Sequence, residues 1–576
     1  MTKPILGRTI FHERTWPILV EILIFGAGLA FFYGLLVIAE TWGGPFSPAA
    51  PISRSPQALP AYAANSLLRV LVAYLLSLLF TLFYGYIAAY NAKAERIMIP
   101  LLDILQSIPV LSFLPGVMLA MVALFPHSQL GVELGSILLI FTGQVWNMTF
   151  SLYASLKSIP QELREAAKVY RFNWWQRFIQ LELPYAAIGL VWNSMMSVAG
   201  GWFFLMACEM FVLGERDFRL PGLGSYLQTA ASAGDTTAIL WGLGAMIGII
   251  VLLDLLLWRP VIAWVEKFKL EQVESASVPR SAVLNFLRRS MIVANLKRKV
   301  LTPLGDRANR YIERSIDRPN LLQGPPIWRA WAERAITVTL MAAIGYGFVR
   351  SGTMVAGLDR SEIAEIVHGT VMTLMRVMVA LFIGAAWTIP VGVAIGFSPR
   401  LARVAQPLAQ IAASVPATAL FPVVLLVLFQ AGGGLGIGSI VLMLLGTQWY
   451  ILFNVIAGAM AIPTDLKEAA SISRLGTVDR WRLLILPGIF PYLITGLVTA
   501  AGGAWNASIV AEYFHFKGQI LMTTGLGATI SHATDKGNFD LLLAATIVMS
   551  TIVVTINRLV WRRLYRLAET RFKLEA

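Results

Sequence analysis

Cysteine is almost missing from this sequence. Its single instance, Cys208, lies in an apolar run, which excludes an intrachain disulfide and a cysteine-built metal site. Histidine is nearly as rare. Five are scattered along the chain, and no His/Asp/Glu or Ser/His grouping points to catalysis, a metal or a cofactor. Charge is scarce too: Asp, Glu, Lys and Arg make up 14% of 576 residues against 57% hydrophobic, with a mean hydropathy of +0.69. That balance excludes a soluble enzyme of this size and requires a membrane protein. The stretch Gly-x-x-x-x-Gly-Lys-Ser/Thr is absent as well, so the chain has no phosphate-binding loop for ATP.

The charge that is present is mostly basic, with 46 Lys and Arg against 32 Asp and Glu. These residues gather in short segments between apolar runs, as expected of cytoplasmic loops and lipid headgroup contacts rather than of nucleic-acid binding. A bilayer core of about 30 Å takes roughly 20 apolar residues per helix. By that ruler the first half has spans near 18–40, 63–90, 97–125, 134–157, 186–213 and 237–262, and the second near 331–350, 365–397, 402–429, 435–460, 489–513 and 539–561. The expectation is an all-α polytopic membrane protein of about 12 transmembrane helices in two tandem six-helix repeats. Prolines inside the spans from 97 and from 402 are expected to break them.

Lys3, Arg8, Arg14, Lys93, Arg96, Arg164, Lys168, Arg171, Arg177, Arg400, Arg403, Lys467, Arg480 and Arg482 fall on one side, which is therefore assigned to the cytoplasm of a bacterial inner membrane, with both termini. The start, MTKPILGRTIFHERTWP, lacks a small-residue cleavage site before its apolar run and reads as leading into an uncleaved helix. Residues 1–262 and 329–576 form the two repeats. The basic linker 263–328, with Arg288, Arg289, Lys297, Arg298 and Lys299, suits a helix on the anionic inner leaflet or a regulatory or partner-binding segment.

The duplication is in register. Pro160, Glu165, Ala166, Ala167, Arg171, Arg177 and Pro184 recur 303 positions later as Pro463, Glu468, Ala469, Ala470, Arg474, Arg480 and Pro487. Arg69, Gly85, Arg96, Pro100, Ser107 and Pro109 recur at 307, as Arg376, Gly392, Arg403, Pro407, Ser414 and Pro416. Trp202, Glu209, Gly222 and Gly224 return to 303, as Trp505, Glu512, Gly525 and Gly527. Six spans per half make the repeat parallel, about an axis along the membrane normal.

The stretch SIPQELREAAKVYRFNWWQRFIQLELP, 158–184, and its copy AIPTDLKEAASISRLGTVDRWRLLILP, 461–487, are polar islands between spans. Each reads as a short helix with two alanines at its centre, open to close approach by another backbone, with a carboxylate beside them, Glu165 or Glu468, for a partner's arginine. A solvated connector is the plain alternative, disfavoured by the strict recurrence.

Glu-Ala-Ala followed by Ile/Leu-x-Leu-Pro at this spacing resembles the EAA signature of bacterial ABC importer permeases. The segments Ser66-Leu67-Leu68-Arg69-Val70, Gln106-Ser107-Ile108-Pro109, Ala207-Cys208-Glu209 and Gly222-Leu223-Gly224 resemble the nitrate, sulfonate, taurine and bicarbonate group, here as a fused, duplicated permease. The resemblance implies two cytoplasmic ATP-binding-cassette subunits docked on the islands, an external or periplasmic solute-binding protein, and alternating access driven from outside the chain. It implies ATPase-coupling roles for Glu165, Ala166, Ala167, Arg171, Glu468, Ala469, Ala470 and Arg474. Where the family pattern has glycine after Glu-Ala-Ala-x-x-x, this chain has Arg171 and Arg474, so a somewhat different loop geometry and a more basic docking surface are expected.

For the pathway itself, Gln144, Trp146 and Asn147 with Gln448, Trp449 and Tyr450 offer neutral donors that would pass an anion without trapping it. Trp202, Trp505 and Asn506 follow Gly-Gly pairs, where helices can approach closely or break. Arg69 and Arg376, with Glu209 and Glu512, are either structural ion pairs or an anion-attracting vestibule. A 12-span secondary transporter without an ATPase is the competing class, but it gives no reason for two in-register islands. A membrane enzyme or scaffold is a remoter one.

Overall fold

The computed structural model describes residues 51–268 and 352–571, apart from 127, 214–215 and 517–518, together with 282–289 and a few isolated positions between 295 and 349. The span expected at 18–40, nearly all of that at 331–350, the residues Lys3, Arg8 and Arg14, and most of the linker lie outside the described residues.

The first half runs α1 (Leu59–Tyr90), α2 (Ala92–Ser107), α3 (Leu114–Leu124), α4 (Leu130–Lys157), α5 (Gln161–Val169), α6 (Leu183–Glu209), the hairpin β1 (Val212–Leu213) with β2 (Arg216–Asp217), α7 (Leu223–Ala233) and α8 (Thr236–Leu253). The second repeats it as α9 (Arg360–Phe397), α10 (Pro399–Ser414), α11 (Ala417–Gln430), α12 (Leu435–Ala461), α13 (Thr464–Ile472), α14 (Leu486–Ala511), β3 (Tyr513–Phe516) with β4 (Gln519–Met522), α15 (Leu526–Lys536) and α16 (Phe539–Ile556). Both hairpins are antiparallel, with Val212 opposite Asp217 and Tyr513 opposite Met522. Among the described residues eight helices are long and apolar enough to cross a membrane, or nine if a bent pair counts as one span.

The breaks expected from prolines in the spans from 97 and from 402 are present. In the second half the two arms, Arg400–Ser414 and Ala417–Gln430, meet at 86°. Val415 and its counterpart Ile108 are extended, as the residue before a proline must be to clear its ring, so Pro416 and Pro109 set the break. Asn91 and Ser398 turn one helix into the next. Each is extended, and its side chain accepts from amides of the following helix: Lys93 and Ala94 for Asn91, Leu401 for Ser398.

The polar islands are also shorter than 158–184 and 461–487. Helix resumes at Trp174 and at Thr477 and continues through a π turn, Phe178–Glu182 or Trp481–Ile485, into α6 or α14. Pro184 and Pro487 follow these turns within the continuing helix, where the wider π register coincides with a residue that has no amide to donate. Further π turns occur at Asp254–Trp258 and Asn557–Trp561.

Within each half one long helix sits at the centre, α4 against α1 and α6, and α12 against α9 and α14. Side chains of both halves share one continuous buried core, including Met118, Trp202, Phe421 and Trp505. Polar bonds also join the halves: the Leu111 amide donates to Asn506 Oδ1 at 3.4 Å, and Gln228 Nε2 to the His515 carbonyl at 3.3 Å.

Candidate functional site

Each half leaves its bundle between two crossing helices to form a short surface helix, α5 or α13, and each ends identically. The amides of Arg171 and Phe172 donate to the carbonyls of Lys168 and Ala167, both at 3.0 Å; those of Arg474 and Leu475 donate to Ser471 and Ala470 at 3.1 and 3.2 Å. This is the paired bonding that closes a helix on a left-handed residue, a place glycine usually takes. Arg171, with φ 53°, and Arg474, with φ 48°, are the only non-glycine residues of positive φ among those described. Both arginines thus adopt the left-handed backbone that a glycine would take without strain. Ala167 and Ala470 are buried beneath the turns, while Glu165, Ala166, Glu468 and Ala469 are exposed with both arginines. Gln161 Nε2 donates to Glu165 Oε1 at 2.8 Å. The adjoining apolar side chains Val169 and Ile472 are 79% and 82% exposed, which makes two matched surfaces suited to a partner.

At the opposite end of the helices lies a buried charge cluster. Arg69 is 1% exposed and bridges two carboxylates: Nε and Nη2 donate to Glu133 at 2.6 and 2.7 Å, and Nη1 donates to Glu209 at 2.7 Å. Ser66 Oγ and the Gly224 amide also donate to Glu209, at 2.6 and 2.7 Å. The second half keeps the pattern with Thr373 for Ser66. Arg376 Nη1 donates to Glu512 at 2.8 Å, as do the hydroxyl of Thr373 at 2.9 Å and the Gly527 amide at 3.0 Å. The Gly-Leu-Gly pairs are thereby explained by space: a Cβ on Gly222 would lie 2.2 Å from the Glu209 carboxylate, and one on Gly525 2.1 Å from Glu512 Oε2.

Glu133 escaped the sequence reading, which began the fourth span one residue later. Charge balance was the available signal, since an arginine in an apolar span needs a carboxylate at its own depth. Gly436 occupies the equivalent place in the second half. Arg376 there has one carboxylate and its side chain is 13% exposed.

Between the halves lie two cavities of about 130 and 180 Å³ that share Gly143, Asn147, Phe204, Tyr450, Gly503 and Asn506. Trp449 lines the first and Trp146 and Trp505 the second; neither is lined by a charged residue. Two buried polar atoms at their walls, Trp146 Nε1 and Ser197 Oγ, have no hydrogen-bond partner among the described residues. The other polar residues singled out from the sequence face elsewhere. Gln144 is buried against Gly201, Gln448 accepts from Trp387 Nε1 at 3.1 Å, and Trp202 sits in the core. Toward the hairpin end a third cavity, of about 270 Å³, is lined from both halves and includes Arg219, His515 and Asp535. Burial pushes the Asp535 carboxyl up, but hydrogen bonds from His515 and Tyr513 outweigh it and hold the group below the usual carboxylate range.

A sequence profile described as binding-protein-dependent transport system inner membrane component matches residues 81–267 and 388–573, one copy in each half. The chain is 27% identical over 214 residues to a putative ABC transporter permease of Methanocaldococcus jannaschii, covering 35% of this chain and 76% of that protein. It is 27% identical over 188 residues to a nitrate import permease of Leptolyngbya laminosa, covering 33% and 64%. It is 29% identical over 184 residues to a taurine transport system permease of Escherichia coli, covering 31% and 62%.

Proposed function

The chain belongs to the family of binding-protein-dependent transport system inner membrane components, and from that premise we propose that it supplies both halves of the translocation pathway of an ATP-binding-cassette importer. The observation that carries this reading is the matched pair of surface helices α5 and α13, each ending in the same left-handed turn with Val169 or Ile472 uncovered. Two matched handles are what a pair of ATPase subunits would grip, and a secondary transporter has no use for them. In the proposed cycle, closure of two cytoplasmic ATPase subunits moves α5 and α13, and the halves rock about the cavities between them. The face bearing α5 and α13 is cytoplasmic in this reading, and a solute-binding protein delivers cargo at the hairpin end.

The names of the relatives point to a small anion, nitrate or an organic sulfonate such as taurine. The central cavities fit such cargo through neutral donors, the amides of Asn147 and Asn506, the Tyr450 hydroxyl and the Trp146 indole, which hold an anion without the trap a fixed cation would set. The buried arginines are assigned a structural role, because both already hold carboxylates. Co-expression with the neighbouring ATPase and reconstitution with the solute-binding protein test the reading. Cargo-dependent, vanadate-sensitive ATP hydrolysis is expected, and uptake that runs without ATP would overturn it.

A further inference from the structure

The duplication makes each half a control for the other, and near the coupling helices the two halves differ in charge compensation. In the first half Arg177 is satisfied: its Nε donates to Glu182 at 2.6 Å, its Nη2 to the Tyr86 hydroxyl at 3.3 Å, and Tyr90 also donates to Glu182, at 2.6 Å. In the second half all three partners are gone, since Glu182, Tyr86 and Tyr90 correspond to Ile485, Val393 and Phe397. The cation remains. Among the described residues Arg480 Nε is buried without a hydrogen-bond partner, and its guanidinium lies 5.7 Å from the Phe397 ring centroid. A second cation, Lys467, lies 4.6 Å from the same ring. Among the described residues neither forms an ion pair, and Asp479, next in sequence to Arg480, is exposed. Lys467 Nζ donates to the Ala459 carbonyl at 3.2 Å, and burial pulls the ammonium below its usual range. Beside the pair opens a cleft of about 340 Å³, walled by Val393 and Phe397 of α9 and by Leu475, Thr477, Arg480 and Ile485.

We infer that this cleft binds a phosphate-class oxyanion, whose oxygens stand where Glu182 stands in the first half. The ligand has to bring its own charge because Ile485 cannot, and a tetrahedral oxyanion accepts from a guanidinium as a carboxylate does. The cleft lies where α9 ends and α14 begins, so a lipid headgroup phosphate and a free phosphate both meet the requirement, and binding there would bear on the turn that follows α13. This goes beyond the transport reading and stands or falls separately from it.

The test uses the full chain in a phosphate-free maltoside detergent, with or without added phosphatidylglycerol, titrated with inorganic phosphate at fixed ionic strength. Thermal unfolding and native mass spectrometry are the readouts. A rise in midpoint with inorganic phosphate identifies the free anion, and retention of phosphatidylglycerol with no response to phosphate identifies the headgroup. Ile485→Glu, which installs the first half's own carboxylate, and Arg480→Gln should each weaken the response at least about tenfold, the loss expected with one charge-assisted hydrogen bond. Should Ile485→Glu fail to fold, the partly exposed Arg480 makes Arg480→Gln the deciding variant. Responses unchanged in the folded variants, or no response to either ligand in the parent chain, overturn the inference.

Discussion

Arg171 and Arg474, 303 positions apart, hold the same left-handed backbone, with φ of 53° and 48°. A side chain in that conformation costs on the order of 1–2 kcal/mol that glycine would not pay. Arg171→Gly and Arg474→Gly should therefore be neutral to stabilising, by up to about 1 kcal/mol each, the gain in backbone strain being partly offset by the entropy of glycine. Val at either position should destabilise instead. If the guanidinium groups contribute to the ATPase contact, the glycine variants will keep their unfolding midpoint and lose stimulated ATP hydrolysis; unchanged stimulation would assign the arginines no part in it.

The buried cluster at the hairpin end predicts an order among carboxylate substitutions. Glu209→Ala leaves the Arg69 guanidinium and the amide of Gly224 short of an acceptor and should cost about 3–5 kcal/mol. Glu133→Gln should cost less, because it brings the first half toward the second, where Arg376 manages with one carboxylate. Arg69→Gln and Arg376→Gln should lower the folded yield and leave cargo affinity unchanged in whatever folds. Uptake and expression measured separately distinguish this from a vestibule, for which affinity would fall with expression intact.

Gly222→Ala and Gly525→Ala place a methyl group 2.2 and 2.1 Å from carboxylate atoms and should each destabilise by about 1–3 kcal/mol. Gly244→Ala, with nothing within 4 Å of the added carbon, is the control. Thermal unfolding in detergent reads all three, and equal midpoints would show that the cluster can move aside.

In the central cavities, Tyr450→Phe and Asn147→Ala each remove one neutral donor, worth about 1 kcal/mol or roughly fivefold in affinity. Both should raise the cargo concentration needed for half-maximal uptake and leave the unfolding midpoint unchanged. Gln448→Ala, which loses the bond to Trp387, should do the reverse.

The lowered Asp535 carboxyl predicts a pH effect at the hairpin end. A carboxylate held below its free value stabilises the fold above the ordinary carboxylate range, and that contribution is lost as pH falls through the lowered value. Asp535→Asn should remove this share of the acid-side loss, so that unfolding midpoints of parent and variant converge at the most acidic pH. Curves that stay parallel down to that pH would refute it.

Much of the molecule was legible before any coordinates. The duplication, the spans that fall within the described residues, the proline breaks in those from 97 and from 402 and the two surface helices follow from spacing, hydropathy and proline stereochemistry, which act locally. The rotation of each helix about its own axis was not legible. A span that is apolar on every side carries no periodic signal for which face meets lipid and which meets a neighbouring helix. Packing alone decided that Asn147, Tyr450 and Asn506 line the space between the halves while Gln144 and Gln448 face away from it. Packing also brought Glu133 to Arg69 across 64 residues and set Arg480 at the wall of a cleft. The sequence by itself settled that two repeats cross a membrane and where each is broken, because those are properties of single segments. Which charges meet, and which are left waiting for a partner, depended on several segments at once and was decided by the tertiary structure.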